Sequence, residues 1–341
     1  MSVIGAVLAA TLAAAVPATP LFADDAPIRL AIQGPLSEIA RSAETSSVPR
    51  DGTLALPGTA ETHLIRLTPR GITRRKSETC RFPPLRVEFP QNPGLGSLFA
   101  GQRRLKLVTH CQPSEGFQQY LLLEYSAYRI FNLIDPTSFR VRLSSIDYAE
   151  SGGRKSFNRL GFFIEDLDDA ARRNAFHDAN VGVRILVPEL EPRQSARVAM
   201  FEYMIGNLDW SMRAGPEGDE CCHNVRLLTA APGRPPYIPL AYDFDYSGLV
   251  NAPYAVPPEG FKISSVRSRV YRGYCRHNAQ ALAAAAAIRA RRPAIEALYG
   301  SIPQLSERSR ARALAYLAGF FDEIATDASV RDKLLRRCVA G

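Results

Sequence analysis

The chain has 341 residues, 46% apolar and 22% charged, so it holds enough material for a real core and for two lobes or two small domains, and it is not a disordered polymer. Forty-two Lys and Arg against 34 Asp and Glu leave a net charge of +8. The excess is mostly arginine, and no aromatic-interleaved basic motif or recognition-helix pattern accompanies it, which argues against nucleic acid as a partner.

Residues 1–23, MSVIGAVLAATLAAAVPATPLFA, are apolar and Ala-rich and then turn to Pro and small residues, the pattern of a secretory signal cleaved near Ala23. The apolar run falls short of the ~20 residues that a bilayer span needs, and no later stretch reaches it, so no transmembrane span is expected in the mature form. Six cysteines, Cys80, Cys111, Cys221, Cys222, Cys275 and Cys338, fit disulfides in a periplasmic or secreted protein. The adjacent Cys221 and Cys222 are expected to bond to different partners. A rival zinc site from Cys221, Cys222 and His223 with His110 or Cys111 would use an unusual ligand spacing.

Short apolar pieces occupy residues 24–60. HLIRLTPRGITRRKSETC alternates like an edge strand with a Pro-Arg-Gly turn, and LRVEF, residues 85–89, alternates again. RRLKLVTHC, residues 103–111, reads as a buried strand carrying Lys106. Residues 116–134 place Tyr120, Leu123, Ala127, Ile130, Phe131 and Ile134 at helical spacing, with Glu124 in the middle and Asp135-Pro136 as the stop. Residues 139–150 and 159–167 form a strand hairpin ending at Glu165 and Asp166.

A helix from Gln194 to Ile205 is ended by Gly206, which leaves Asp209 in a loop. NVRLLT and PYIPLAYDF flank Gly233-Arg234-Pro235-Pro236 as a strand pair, with Asn224 beginning the first strand and Asp243 ending the second. Residues 251–276 form a long loop in which Arg267, Arg269 and Arg272 are candidates to meet phosphate or an acidic acceptor. The remainder is helical: 278–291, a new helix after Pro293, 306–324 and 328–338.

The stretch from Phe201 to Val250 concentrates the chemistry. Asn207, Asp209, His223, Asn224, Asp243 and Asp245 lie at the ends of apolar segments, and oxygen ligands of this kind suit Mg²⁺ or Mn²⁺. The order Asp, Asn, strand, Asp-Phe-Asp over 201–249, and more weakly the segment 103–166, resembles the atypical kinases of the spore-coat CotH type and, more distantly, the HipA-like kinases.

The resemblance implies an α+β, two-lobed kinase-like fold, with a small mixed β-sheet lobe over 24–166 and a larger helical lobe over 167–341. It implies ATP and Mg²⁺ or Mn²⁺ as cofactors. Lys106 would contact the phosphates and pair with Glu124, Asp209 would orient the acceptor hydroxyl, and Asn224 with Asp243 or Asp245 would bind metal. Glu165 and Asp166 would sit near the adenine or ribose. Asp209 and Asn224 are 15 positions apart, so residues 213–222 would be an inserted loop. No glycine-rich phosphate motif occurs.

The function implied is an exported phosphotransferase acting from a nucleotide on an envelope or secreted protein. Two alternatives stay open: a non-catalytic envelope binding or assembly protein on a degenerate kinase-like scaffold, and a metal-dependent hydrolase using Asp209, His223, Asp243 and Asp245.

Overall fold

Strand pairing in the N-terminal half runs full circle. The computed structural model describes residues 16–153 and 156–340. Its strands are β1 (Ile28–Gly34), β2 (Arg50–Ala55), β3 (Thr62–Pro69), β4 (Leu85–Glu88), β5 (Arg104–Val108), β6 (Val141–Glu150), β7 (Ser156–Ile164), β8 (His177–Asp178), β9 (Val225–Ala231) and β10 (Arg234–Ala241). Its helices are α1 (Pro20–Ala23), α2 (Leu36–Ser42), α3 (Gln118–Ile134), α4 (Leu167–Arg173), α5 (Pro192–Ile205), α6 (Asn278–Ser301), α7 (Glu307–Glu323) and α8 (Asp327–Lys333).

The first seven strands form a closed barrel in the order β1-β2-β3-β4-β5-β7-β6. This corrects the expectation of a two-lobed kinase-like fold. Local alternation identified antiparallel neighbours, but β1 also pairs in parallel with β6, from Ile28 opposite Ser144 to Gly34 opposite Glu150, and that pairing removes the sheet's free edge.

Inward-facing side chains fill the barrel, among them Leu30, Ile32, Leu54, Leu67, Val87, Leu105, Leu107, Tyr148 and Phe163. Leu21 and Phe22 of α1 belong to the same cluster, and Arg140 donates to the Phe22 carbonyl at 2.8 Å. Of the expected signal segment, residues 1–15 lie outside the described residues, whereas cleavage at Ala23 would remove two buried side chains.

A second core joins the barrel's outer face to the helices. Along α3 the residues Leu121, Leu122, Leu123, Tyr125, Ala127, Tyr128, Ile130 and Phe131 are all buried, so the helix is covered on every side. Phe131 stacks on Phe201 of α5 at 4.4 Å. Helix α5 starts at Pro192, is capped by the Glu191 carboxylate and ends at Gly206 with φ +65°. Helix α6 runs unbroken through the exposed Pro293, where the sequence predicts a break.

The remaining sheet has the order β10-β9-β8. Strand β10 carries Pro235, Pro236 and Pro239. Its pairing with β9 puts Ala241 opposite Val225, so Asn224 and Asp243 flank the same end of the hairpin, and the Tyr242 N–H donates to the Asn224 carbonyl at 3.1 Å.

Candidate functional site

That end of the hairpin opens on a cavity of about 520 Å³ whose wall includes Asp209, His223, Asn224, Asp243 and Asp245 together with Arg70, Arg74 and Arg226. Asp209 lies past the Gly206 cap in a turn held by the Asn207 side chain, which accepts the Asp209 N–H at 3.0 Å. Its Oδ1 bonds His223 Nε2 at 2.7 Å and its Oδ2 accepts from Asn224 Nδ2 at 3.0 Å. The hydrogen bond to Asp209 raises the His223 imidazole above its ordinary value, against the opposing effect of burial.

A second carboxylate group sits deeper. Glu124 of α3, Asp243 and Asp245 bring carboxylate oxygens within 4.8 Å of one another. Arg74, from the connection between β3 and β4, lies among them. Its Nη1 donates to Glu124 at 3.0 Å, its Nη2 to Asp243 at 2.8 Å, and its Nε approaches Asp245 at 3.2 Å. Tyr254 donates to Asp245 at 2.9 Å, and the Asp243 N–H donates to the Tyr128 hydroxyl at 2.8 Å. Asp243 takes a left-handed backbone, φ +66°, which turns the chain sharply after β10.

Burial pushes the Glu124 carboxyl up to about 8 and Asp245 up to about 6, each partly offset by Arg74. Burial works on Asp243 in the same direction, but Arg74, Arg70 and Lys106 outweigh it and hold that carboxyl below its ordinary value.

Lys106 follows from strand alternation: Leu105 and Leu107 point into the barrel, so Lys106 points out, toward the hairpin. Its ammonium stands 4.5 Å from the centre of the Tyr242 ring. Burial, with Arg70 and Arg226 nearby, pushes it down to about 7. No carboxylate forms an ion pair with Lys106 among the described residues. The expected Lys106–Glu124 pair is therefore corrected: Arg74 reaches Glu124 instead, across a loop that sequence order gives no reason to place there.

Other candidates are engaged elsewhere. Glu165 is buried against Arg173 at 2.9 Å, and Asp166 caps α4 and meets Arg104 at 2.9 Å; neither lines the cavity. Arg267, Arg269 and Arg272 donate to backbone carbonyls of Gly248, Met204 and Tyr316, and Leu208 and Trp210, respectively, so they fasten the long loop rather than meet an anion.

Cys80 bonds Cys111, Cys275 bonds Cys338, and Cys221 bonds Cys222. The expectation of separate partners for Cys221 and Cys222 is corrected, because the other four cysteines are already matched in space with Cα separations of 4.5 and 5.0 Å. The rival zinc set is likewise used up in disulfides, and His110 is a buried ring stacked on Phe82 at 4.9 Å.

Sequence reasoning missed Arg74, Arg70, Arg226, Tyr128 and Tyr254. Arg74 and Arg75 stand in a basic turn of an arginine-rich chain, where one buried guanidinium looks like any solvated one.

No protein-family profile matches the chain, and no curated protein matches it. A solved structure titled "Crystal structure of A Helicobacter pylori proinflammatory kinase CtkA" is similar over 74% of this chain and 92% of that chain, at 11% identity and a TM-score of 0.39. The similar protein is a kinase by its title. Likeness at that level carries no argument about mechanism, and it bears on neither CotH-type nor HipA-type features.

Proposed function

We propose that the chain is an exported phosphotransferase that moves a phosphoryl group from a nucleotide, in the first instance ATP, to a hydroxyl of an envelope or secreted protein. The observation that carries this reading is one cavity bordered by Asp209, Asn224, Asp243 and Asp245 and by the cations Arg70 and Arg226, with Lys106 behind the Tyr242 ring of its wall. Carboxylates brought together in a partly buried place raise one another's pKa, and ordinary packing gives no reason to assemble them.

The division of labour follows from the contacts. Asp209 is fixed by His223 and Asn224 and orients the acceptor hydroxyl. Lys106, Arg70 and Arg226 offer positive charge that no carboxylate ties down as an ion pair among the described residues, and it stabilises phosphate oxygens as charge shifts during transfer.

The donor chemistry fits Mg²⁺ or Mn²⁺. Glu124, Asp243 and Asp245 are hard oxygen ligands, and the buried Oε1 of Glu124 accepts no hydrogen bond. Glu124, Asp243 and Asp245 would hold the ion, with Asn224 on the adjoining cavity wall, and the ion when bound supplies charge to the phosphates. Three disulfides support an oxidising compartment, and no helix among the described residues is long and apolar enough to cross a membrane.

The non-catalytic reading has one observation in its favour: Arg74 already gives every member of the deep carboxylate group a cation. Thermal unfolding with ATP, in the presence and absence of Mg²⁺ or Mn²⁺, separates the two. Stabilisation that needs both nucleotide and metal supports phosphoryl transfer. No stabilisation under any condition favours the binding protein.

A further inference from the structure

The deep carboxylate group contains its own cation, and that cation comes from the protein. Arg74 directs three different nitrogens at three different carboxylates, at 3.0, 2.8 and 3.2 Å. It does so from a buried position, with 9% of its side chain exposed. A bidentate arginine grips one carboxylate with two parallel bonds. Here the guanidinium instead sits at the middle of a three-cornered set, in the manner of a coordinated ion.

The set is also incompletely satisfied. Three carboxylates face one guanidinium, and Glu124 Oε1 is buried with no hydrogen-bond partner. Among the described residues the only further side-chain donor to the three acids, apart from Arg74, is the Tyr254 hydroxyl on Asp245.

The segment that delivers Arg74 is a short turn, Thr73–Arg75, between β3 and β4. Gly71 precedes it at φ +87° with open space around its Cα, and the Ile72 side chain is exposed. The rest of the connection is secured by Arg75, which donates to the Ser46 carbonyl at 3.2 Å, and by the Cys80–Cys111 bond. The arginine is thus the inward tip of a turn that is tied at its base and free on its outer side.

We propose that Arg74 and a divalent cation are alternative occupants of the Glu124–Asp243–Asp245 group, so that the β3–β4 turn acts as a built-in plug which keeps metal out until it withdraws. This deepens the reading above by naming how that site is regulated, and it rests on that reading for its biological meaning. The competition itself requires no nucleotide.

The test uses the full chain and Mn²⁺ alone, with binding followed by electron paramagnetic resonance and calorimetry. Arg74→Met removes the guanidinium and keeps much of the volume, and should tighten Mn²⁺ at least about tenfold, since a fixed positive charge among the ligands opposes a second cation strongly. Adding Glu124→Gln to Arg74→Met should abolish the gain. Arg74→Lys keeps a charge but cannot span three carboxylates, and should fall between. It also serves as the deciding variant should Arg74→Met not fold. Equal or weaker Mn²⁺ binding in the folded variant would overturn the proposal.

The two readings fail separately. Tighter Mn²⁺ in Arg74→Met with no nucleotide stabilisation in any form sinks the phosphotransferase and leaves the plug. Metal-dependent nucleotide stabilisation in the wild type with no gain of Mn²⁺ on replacing Arg74 sinks the plug and leaves the phosphotransferase.

Discussion

Asp209 and the Glu124–Asp243–Asp245 group belong to one site but are held by different means. Asp209 keeps 33% of its side chain exposed and is held by an imidazole and a carboxamide. Glu124 and Asp245 keep 3% and 8%, Asp243 at the cavity side keeps 30%, and all three depend on a buried guanidinium. The first arrangement leaves an acid accessible with its orientation fixed, as an acceptor-orienting group requires. The second stores two of its three carboxylates, Glu124 and Asp245, away from water, where they are costly without a cation. One suits chemistry at the surface of the cavity, the other suits holding a charge.

The sharpest break in that comparison is Arg74→Met. Removing one side of a buried ion group typically costs about 3–5 kcal/mol. Urea unfolding without metal should show a loss of that order, and Mn²⁺ should return part of it. The matching change at the other group, His223→Gln, should leave stability nearly unchanged.

Next in size is the split between turnover and binding. Asp209→Asn should lower phosphoryl transfer by about 10²–10⁴-fold while nucleotide still stabilises the protein. Asp243→Asn should remove the metal-dependent part of that stabilisation. Finding the two effects exchanged would reverse the roles.

A smaller effect is expected from pH. Lys106 has a folded value of about 7, below its ordinary 10.5, so the unfolded chain binds the extra proton between those values and this group's contribution to stability improves as pH rises through them. Nucleotide affinity has the opposite sign. In the proposed role the charged lysine is the form that would meet phosphate, so affinity should fall as pH climbs above about 7, with proton uptake on binding measurable by calorimetry in buffers of different ionisation heat. Lys106→Met should flatten that dependence.

The smallest effect tests a residue that the sequence assigned to the nucleotide. Asp166→Ala removes the cap of α4 and should cost about 0.5–2 kcal/mol, with nucleotide stabilisation unchanged.

These sites show why some of the molecule was legible beforehand and some was not. The helical spacing over 116–134, the alternation at the start of β6 and the turn residues between β9 and β10 are local signals, and a helix, a strand and a hairpin are found there. The Asn224 and Asp243 positions follow from the hairpin register, which is also local. Barrel closure is different: it depends on β1 meeting β6 across more than a hundred residues, and nothing in either strand names the other. The partner of Glu124 was missed for the same reason. Chain order pointed to Lys106, but the cation that arrives is set by where the β3–β4 connection folds. Cys221 and Cys222 were misread because their pairing depends on the fold bringing Cys80 to Cys111 and Cys275 to Cys338, which chain order does not reveal.

Strand β10 has a consequence for assembly. It lies at the margin of its sheet, and Pro235, Pro236 and Pro239 cannot donate from the backbone there. Beyond β9 the sheet ends in β8, only two residues long. The barrel, being closed, presents no margin at all. A polypeptide seeking to extend either sheet finds few backbone donors to match, which is how natural proteins avoid stacking into fibrils.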